Sequence, residues 1–230
     1  IYFKQDDALR EICESSPLEK IPYNTPHYHI RNGQTIISKQ NRHTLNIFGE
    51  HNIQNAEGAC KICLKLGISE FDFYESLKDF KGTAKRLEKI KETKNLVIIR
   101  DFAHSPSKVS ATTKAVKNQY PDRKLVACLE LHTYSSLNAE FLKEYEGALD
   151  AADVAVVFYS PDAVKIKQLE EVTYDQIAQS FKRNDLIIYT NPTEFKDFLF
   201  STNLDNSALL LMSSGNYGGL DFEEVKQLVN

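Results

Sequence analysis

The stretch LVIIRDFAHSPSKV, residues 96–109, decides how the rest of the chain is read. It opens on a continuous apolar run rich in β-branched residues. That is the pattern of a strand buried on both faces, not of one with a wet side. An acid, an aromatic, a histidine and a proline follow at once. Ser105-Pro106 has the chemistry of a helix start, with Ser as cap and Pro in the first turn. A helix over 108–118 is expected next. Strand, polar turn and helix make one unit, and the fold depends on whether that unit recurs.

It recurs four times. KLVACLEL (124–131), VAVVFYS (154–160), DLIIYT (185–190) and ALLLMS (208–213) are further short apolar runs. Helical patterns over 139–149, 174–181, 193–200 and 222–229 follow them. Buried strands alternating with helices predict a parallel-rich sheet covered on both faces, a Rossmann-like, doubly wound α/β domain. Ligands of such a sheet bind beyond the carboxyl ends of its strands.

Upstream the order is mixed. IYF reads as a strand end and DDALREI as the helix after it. The chain therefore starts inside a unit and without an initiator Met, as a piece of a longer protein would. YHIRNGQTIIS (28–38) and HTLNIFG (43–49) alternate apolar and polar residues around Asn32-Gly33, a strong short hairpin signal. Helices are expected over 52–66, with Gly67 as the stop, and over 70–77. KIKETKN (89–95) is charged and aperiodic, and reads as a linker. The expected organisation is one domain over 1–93 and a second over 94–230.

Bulk properties exclude some partners. A net charge of -4 gives no electrostatic footprint for nucleic acid and no polybasic patch for an anionic membrane. No apolar run reaches the roughly 18–20 residues that span a bilayer, and no signal-peptide pattern opens the chain. Cys60 and Cys63 form a C-x-x-C, but they lie in an amphipathic helical pattern with no second pair of ligands. They read as helix cysteines, no metal site is expected, and a reducing cytoplasm fits.

The strand ends of the second region are polar. Asp101 and His104 follow the first, Glu130, His132 and Thr133 the second, Tyr159 and Ser160 the third, and Ser213, Ser214, Gly215 and Asn216 the last. Singly, such residues are ordinary wet strand ends; together they lie along one rim. Asp101 can accept two hydroxyls, as from a ribose, or serve as a cap or turn residue. SSGNYGGLD (213–221) can bring backbone N–H groups to an anion, or be a generic Gly-rich turn. Asn52 and Asn55, three apart at a helix start, can meet an adenine edge, or cap the helix and lie exposed. Arg86 can pair with phosphate, or belong to a solvated charged run. No G-x-x-x-x-G-K-[ST] and no strand followed by G-x-G-x-x-G occurs, which argues against a P-loop in this chain and against an NAD enzyme.

The order of four motifs carries more than any one of them: GEHNIQNA (49–56), FKGTAKRLE (80–88), DFAHSP (101–106) and GNYG (215–218). In this order they resemble the Mur ligase family, the ATP-dependent amide ligases of peptidoglycan synthesis. The resemblance implies that 1–93 is the distal part of a central P-loop-type ATP-binding domain. It implies that 94–230 is the C-terminal Rossmann-like ligase domain, with the P-loop and most Mg2+ ligands upstream. A muramyl carboxylate would attack the γ-phosphate of ATP, and an amine would then attack the acyl phosphate. By resemblance Asn55 contacts the adenine with Asn52 in support, Arg86 lies against the nucleotide, and Asp101 takes the ribose hydroxyls. His104 and Lys108 face the phosphate and amine side as catalytic residues. His132, Thr133, Ser136, Ser214, Asn216 and Tyr217 are expected to contact the substrate.

Family members that add L-alanine end the second strand in P-H-R-[YF]-[ST]-R, whose arginines suit the amino acid's carboxylate. Here ELHTYSSLN places Thr133 and Ser136 at those positions. A carboxylate left without a cation is costly to bury. The expected partners are therefore UDP-N-acetylmuramate and the murein tripeptide L-alanyl-γ-D-glutamyl-meso-diaminopimelate, as in peptidoglycan recycling. L-alanine is the alternative amine, and a non-catalytic nucleotide-binding module is the alternative of another class.

Overall fold

The computed structural model describes residues 1–39, 41–166 and 172–228. The chain forms two compact units, Ile1–Gly82 and Thr83–Asn230.

The first unit runs β1 (Tyr2–Phe3), α1 (Asp7–Ser15), β2 (Pro22–Tyr23), β3 (Tyr28–Arg31), β4 (Gln34–Ser38), β5 (Arg42–Leu45), α2 (Glu50–Lys65) and α3 (Glu70–Leu77). β1 and β2 pair in parallel; β3, β4 and β5 form an antiparallel sheet. Asn32 and Gly33 make the expected hairpin turn, both with positive φ (52° and 71°), and bring Arg31 opposite Gln34. Gly49, at φ 88°, turns the chain into α2 two residues earlier than expected. Ile37, Leu45, Ile53, Cys60 and Tyr74 are core residues of this unit. The Cys60 thiol is buried and pushed up to about 11, first of all by burial, which suits an inert core cysteine.

Beside that core lies Glu57, 4% exposed. Its carboxylate accepts the Tyr74 hydroxyl at 2.7 Å and ion-pairs with Lys39 at 2.9 Å and Lys61 at 3.0 Å. A buried carboxylate is tolerable only with such partners.

The second unit runs β6 (Glu88–Glu92), β7 (Leu96–Asp101), α4 (Pro106–Gln119), β8 (Lys124–Leu131), α5 (Ala139–Leu142), β9 (Val154–Tyr159), α6 (Pro161–Ile166), α7 (Tyr174–Phe181), β10 (Ile187–Tyr189), α8 (Pro192–Ser201), β11 (Ser207–Met212) and α9 (Phe222–Val225). Three expectations change. The stretch 89–95 is not a plain linker: β6 pairs antiparallel with β7, with a register shift between Lys89 and Lys91. It lies at the end of the sheet, where charged residues protect the edge and no apolar pattern is needed. The helix expected over 139–149 stops at Leu142, continues as a 3-10 turn over Lys143–Tyr145, and ends near Gly147 at φ 70°. The last helix gives way to a 3-10 turn over Lys226–Leu228, and Val229 lies outside the described residues.

The sheet order is β10-β9-β8-β11-β7-β6, parallel except for β6. β11 returns to lie between β7 and β8, with Met212 opposite both Asp101 and Leu129. Both faces are buried. Ile98, Val126, Cys128, Val156, Phe158, Leu209 and Leu211 form one core cluster with Phe195 and Leu199 of α8 and Val225 of α9. Val109 and Val116 of α4 are also fully buried, and α4 packs on β8 and β11. The outcome that matters for function is the insertion of β11. It places the ends of β7, β11 and β8 side by side at a topological switch point.

Candidate functional site

The rim begins at Asp101, 5% exposed at the end of β7. Its Oδ1 accepts the Ala103 N–H and its Oδ2 the Leu87 N–H, both at 2.6 Å. The Leu87 contact latches the segment before β6 onto the strand end. That segment is strained: Lys85 and Leu87 have φ of 59° and 43°, a region bulky residues rarely adopt. Three bonds hold it there: the Asp101 carboxylate on the Leu87 N–H, the Glu88 carboxylate on the Lys85 N–H at 2.8 Å, and the Phe102 N–H on the Lys85 carbonyl at 2.8 Å. Arg86 stands exposed between the two left-handed residues, its guanidinium 5.2 Å from the Phe102 ring centroid. The latch ties KRLE (85–88) to the start of DFAHSP (101–106).

The Phe102 ring meets His104 edge-on at 5.2 Å, and His104 Nδ1 lies 2.8 Å from the Phe102 carbonyl. The buried Tyr145 hydroxyl donates to the His104 carbonyl. Burial pushes the Tyr145 phenol up, so it stays a donor. α4 then starts at Pro106, and its cap residue Ser105 makes no side-chain cap bond. Beside it opens a cleft of about 540 Å³, lined by Ser105, Ser107, Ser110, Phe141, Glu144 and Glu146 among others. Lys108 is exposed one turn into α4.

Ser213 joins the next two strand ends. Its N–H donates to the Asp101 carbonyl at 3.0 Å and its hydroxyl to Glu130 Oε2. Glu130, at 3% exposure, also accepts the Tyr217 N–H at 2.9 Å on the same oxygen. Its Oε1 faces His132 Nδ1 at 3.6 Å, an ion-pair distance. Thr133 and Ser136 bind each other: the Thr133 N–H donates to Ser136 Oγ at 2.9 Å and the Ser136 N–H to Thr133 Oγ1 at 3.1 Å. They close a short turn and present no charge.

Several sequence expectations meet different surroundings. Tyr217 is not at the rim: it is 1% exposed, stacked on Phe195 at 4.8 Å, with its hydroxyl donating to the carbonyls of Cys128 and Met212. A φ of 54° turns it inward, and burial raises its phenol well above the ordinary range. Asn216 shapes the turn, accepting the Gly219 N–H on Oδ1 at 3.2 Å. Ser214 is half-buried, and its Oγ is buried without a hydrogen-bond partner. In the first unit Asn52 is not the cap of α2; its amide donates to the Phe48 carbonyl at 2.9 Å, while Asn55 stands exposed. Asp101, His104, Glu130, His132, Ser213 and Ser214 therefore share one rim. Glu130 is the member whose weight sequence reasoning missed, because a carboxylate at a strand end reads the same whether wet or buried. Among the described residues no three His, Cys, Asp or Glu side chains converge to hold a metal.

Comparisons with known proteins give the family and the fold. A UDP-N-acetylmuramate–L-alanine ligase from a Sulfurihydrogenibium species is 29% identical over 174 residues, covering 75% of this chain and 38% of that relative. The chain thus spans well under half the length of that relative. The crystal structure of the UDP-N-acetylmuramate–alanine ligase of Thermotoga maritima superposes with a TM-score of 0.69 at 18% identity, over 98% of this chain and 49% of that one. A murein peptide ligase from Psychrobacter arcticus gives 0.57 at 19% identity, over 90% and 44%. At such identities the structures show the shared α/β fold. The family described as Mur ligase, glutamate ligase domain, matches residues 85–215, from the latched segment before β6 to the glycine that follows Ser213 and Ser214. That match takes in more than half of the chain and most of the rim, and the chain belongs to the Mur ligase family.

Proposed function

We propose that the chain is the distal part of a cytoplasmic, ATP-dependent carbon–nitrogen ligase that joins an amine to the carboxylate of UDP-N-acetylmuramate in peptidoglycan synthesis. The family match over 85–215 carries this reading. The first compact unit, residues 1–82, is the distal part of the ATP-binding domain, and 83–230, which carries β6 and not only the expected 94–230, is the ligase domain. ATP supplies the phosphoryl group that activates the carboxylate. Asn55, supported by Asn52, meets the adenine; Arg86 and Asp101 hold the nucleotide from the latched segment and the strand end. His104, Lys108 and the open start of α4 face the phosphate and the amine. His132, Ser214 and the Thr133–Ser136 turn border the amine.

L-alanine is the first choice of amine, because it is the amine in the name of the Sulfurihydrogenibium relative. One observation favours the murein tripeptide instead. Thr133 and Ser136 are bonded to each other where arginines are expected for a small amino acid's carboxylate. Phosphate release by the intact protein, given ATP, Mg2+, UDP-N-acetylmuramate and one amine at a time, decides between them. Turnover with L-alanine alone supports the first choice, and turnover with the tripeptide alone the second. No turnover with either leaves a nucleotide-binding module. In the same assay Asp101→Asn should raise the KM for ATP several-fold with a smaller change for the amine. Unchanged ATP kinetics would remove Asp101 from the nucleotide site.

A further inference from the structure

We propose that Glu130 and His132 form a carboxylate–imidazole pair that takes the proton of the incoming amine, a role that rests on the ligase reading above. The pair is built from two strand ends. Glu130 is the penultimate residue of β8, and its Oε2 accepts the Ser213 hydroxyl and the Tyr217 N–H of the segment after β11. That leaves Oε1 toward His132 Nδ1 at 3.6 Å. Glu130 thus turns one oxygen to backbone and hydroxyl donors and the other to a titratable side chain. Gly215 closes the arrangement. A Cβ there would stand 2.9 Å from Glu130 Oε2 and 3.0 Å from His132 Cγ, so only a bare backbone packs against both groups at once. The His132 side chain is still 40% exposed. At 3.6 Å the carboxylate is within ion-pair distance of Nδ1 but beyond hydrogen-bond reach, so it acts on the ring through its charge, and Nε2 is the ring nitrogen left for a substrate proton.

The chemistry requires such a group. An amine arrives at neutral pH as an ammonium ion, which has no lone pair to donate. His132 Nε2 takes one proton, the freed lone pair forms the C–N bond to the acyl carbon, and a tetrahedral intermediate results. As the intermediate collapses the nitrogen gives its second proton to the departing phosphate oxygen. The C–O bond to phosphate then breaks, and phosphate leaves with the electron pair. Tyr217, whose N–H is on Glu130, is itself influenced by Cys128 and Arg100. Burial raises the Tyr217 phenol and the Cys128 thiol, which stay protonated, and arginine stays charged throughout. None of them takes a proton in the working range.

The test uses the intact protein. Amide formation with L-alanine and with the murein tripeptide is measured from about pH 6 to 10 for the parent, His132→Gln and Glu130→Gln. Hydroxamate formation is measured in parallel, with hydroxylamine in place of the amine. Hydroxylamine is a far weaker base than an alkyl amine, so most of it is already neutral where the amine is still an ammonium ion. His132→Gln should lower amide formation by about 100-fold or more and hydroxamate formation far less, and its deficit should shrink as pH rises. Glu130→Gln keeps the shape and removes the charge, and should shift the pH profile in the same direction. A His132→Gln protein with the parent's pH profile overturns the proposal. So does one that loses both nucleophiles in equal proportion, which would mark His132 as architecture. A parent protein that makes neither amide nor hydroxamate overturns the ligase reading itself, and the proton-taking role with it.

Discussion

The two units reach stability by different means. In the second, the inner strands β7, β8, β9 and β11 are dry on both faces and bury almost every residue, while the end strands β6 and β10 do not. In the first, the core around Ile37, Ile53 and Tyr74 is small. A charged network leans on it: Glu57 holds Tyr74, Lys39 and Lys61, and Lys39 also reaches Glu70 at 3.4 Å. A doubly covered sheet removes enough apolar surface to stand on the hydrophobic effect. A three-stranded sheet with one helical layer does not bury as much, and its polar groups must be matched one for one.

The largest expected effect breaks that matching. Glu57→Ala takes the acceptor from the Tyr74 hydroxyl and the Lys61 ammonium and leaves Lys39 with Glu70 alone, and should cost the first unit about 3–5 kcal/mol. Urea unfolding followed by hydrogen exchange on α2 and on β8 would read the units separately. A loss spread equally over both would end the contrast. The counterpart is Leu199→Ala, which removes a side chain 1% exposed in the α8 layer. It should cost the second unit about 2–5 kcal/mol with no change in α2 exchange.

Acid sharpens the comparison. Burial pushes the Glu57 carboxyl up, but the hydrogen bonds from Lys39, Tyr74 and Lys61 together outweigh it, so it lies below its ordinary value of 4.5. A carboxyl lowered in the folded state stabilises above its unfolded value and loses that contribution as pH falls through the folded one. The first unit should therefore loosen below about pH 4.5 while β8 exchange holds. Simultaneous loss of both units would mean that Glu57 is not the controlling group.

How much of this the sequence carries depends on which force shaped each element. The five parallel strands are legible because burial on both faces writes an apolar run wherever such a strand lies. The hairpin at Asn32-Gly33 is legible because few residue pairs accept two positive φ angles. β6 is hidden, since an edge strand made of Glu and Lys looks like a linker until its partner is known. The rim is half legible. Asp101 and His104 stand in a recognisable motif, whereas Glu130 gains its meaning only when residues 213–217 fold over it. Tyr217 misleads for the same reason, because its inward turn is set by a backbone angle that the residue name does not announce.

The smallest effect concerns the start of α4, where the two units give way to a contrast between helices of one unit. α8 is capped: Asn191 Oδ1 accepts the N–H groups of Thr193 and Glu194 at 2.8 and 3.4 Å. α4 begins at the rim with Ser105 making no such bond. A helix whose first N–H groups lack a side-chain acceptor gives up part of its own stability and keeps those donors for something else. Asn191→Ala should then cost about 1 kcal/mol, and Ser105→Ala clearly less, in thermal unfolding of the second unit. Equal costs would mean that Ser105 closes the helix start in solution. The N-terminus of α4 would then be occupied before any substrate reached it, and the phosphate-facing role of this turn would fall to His104 and Lys108 alone.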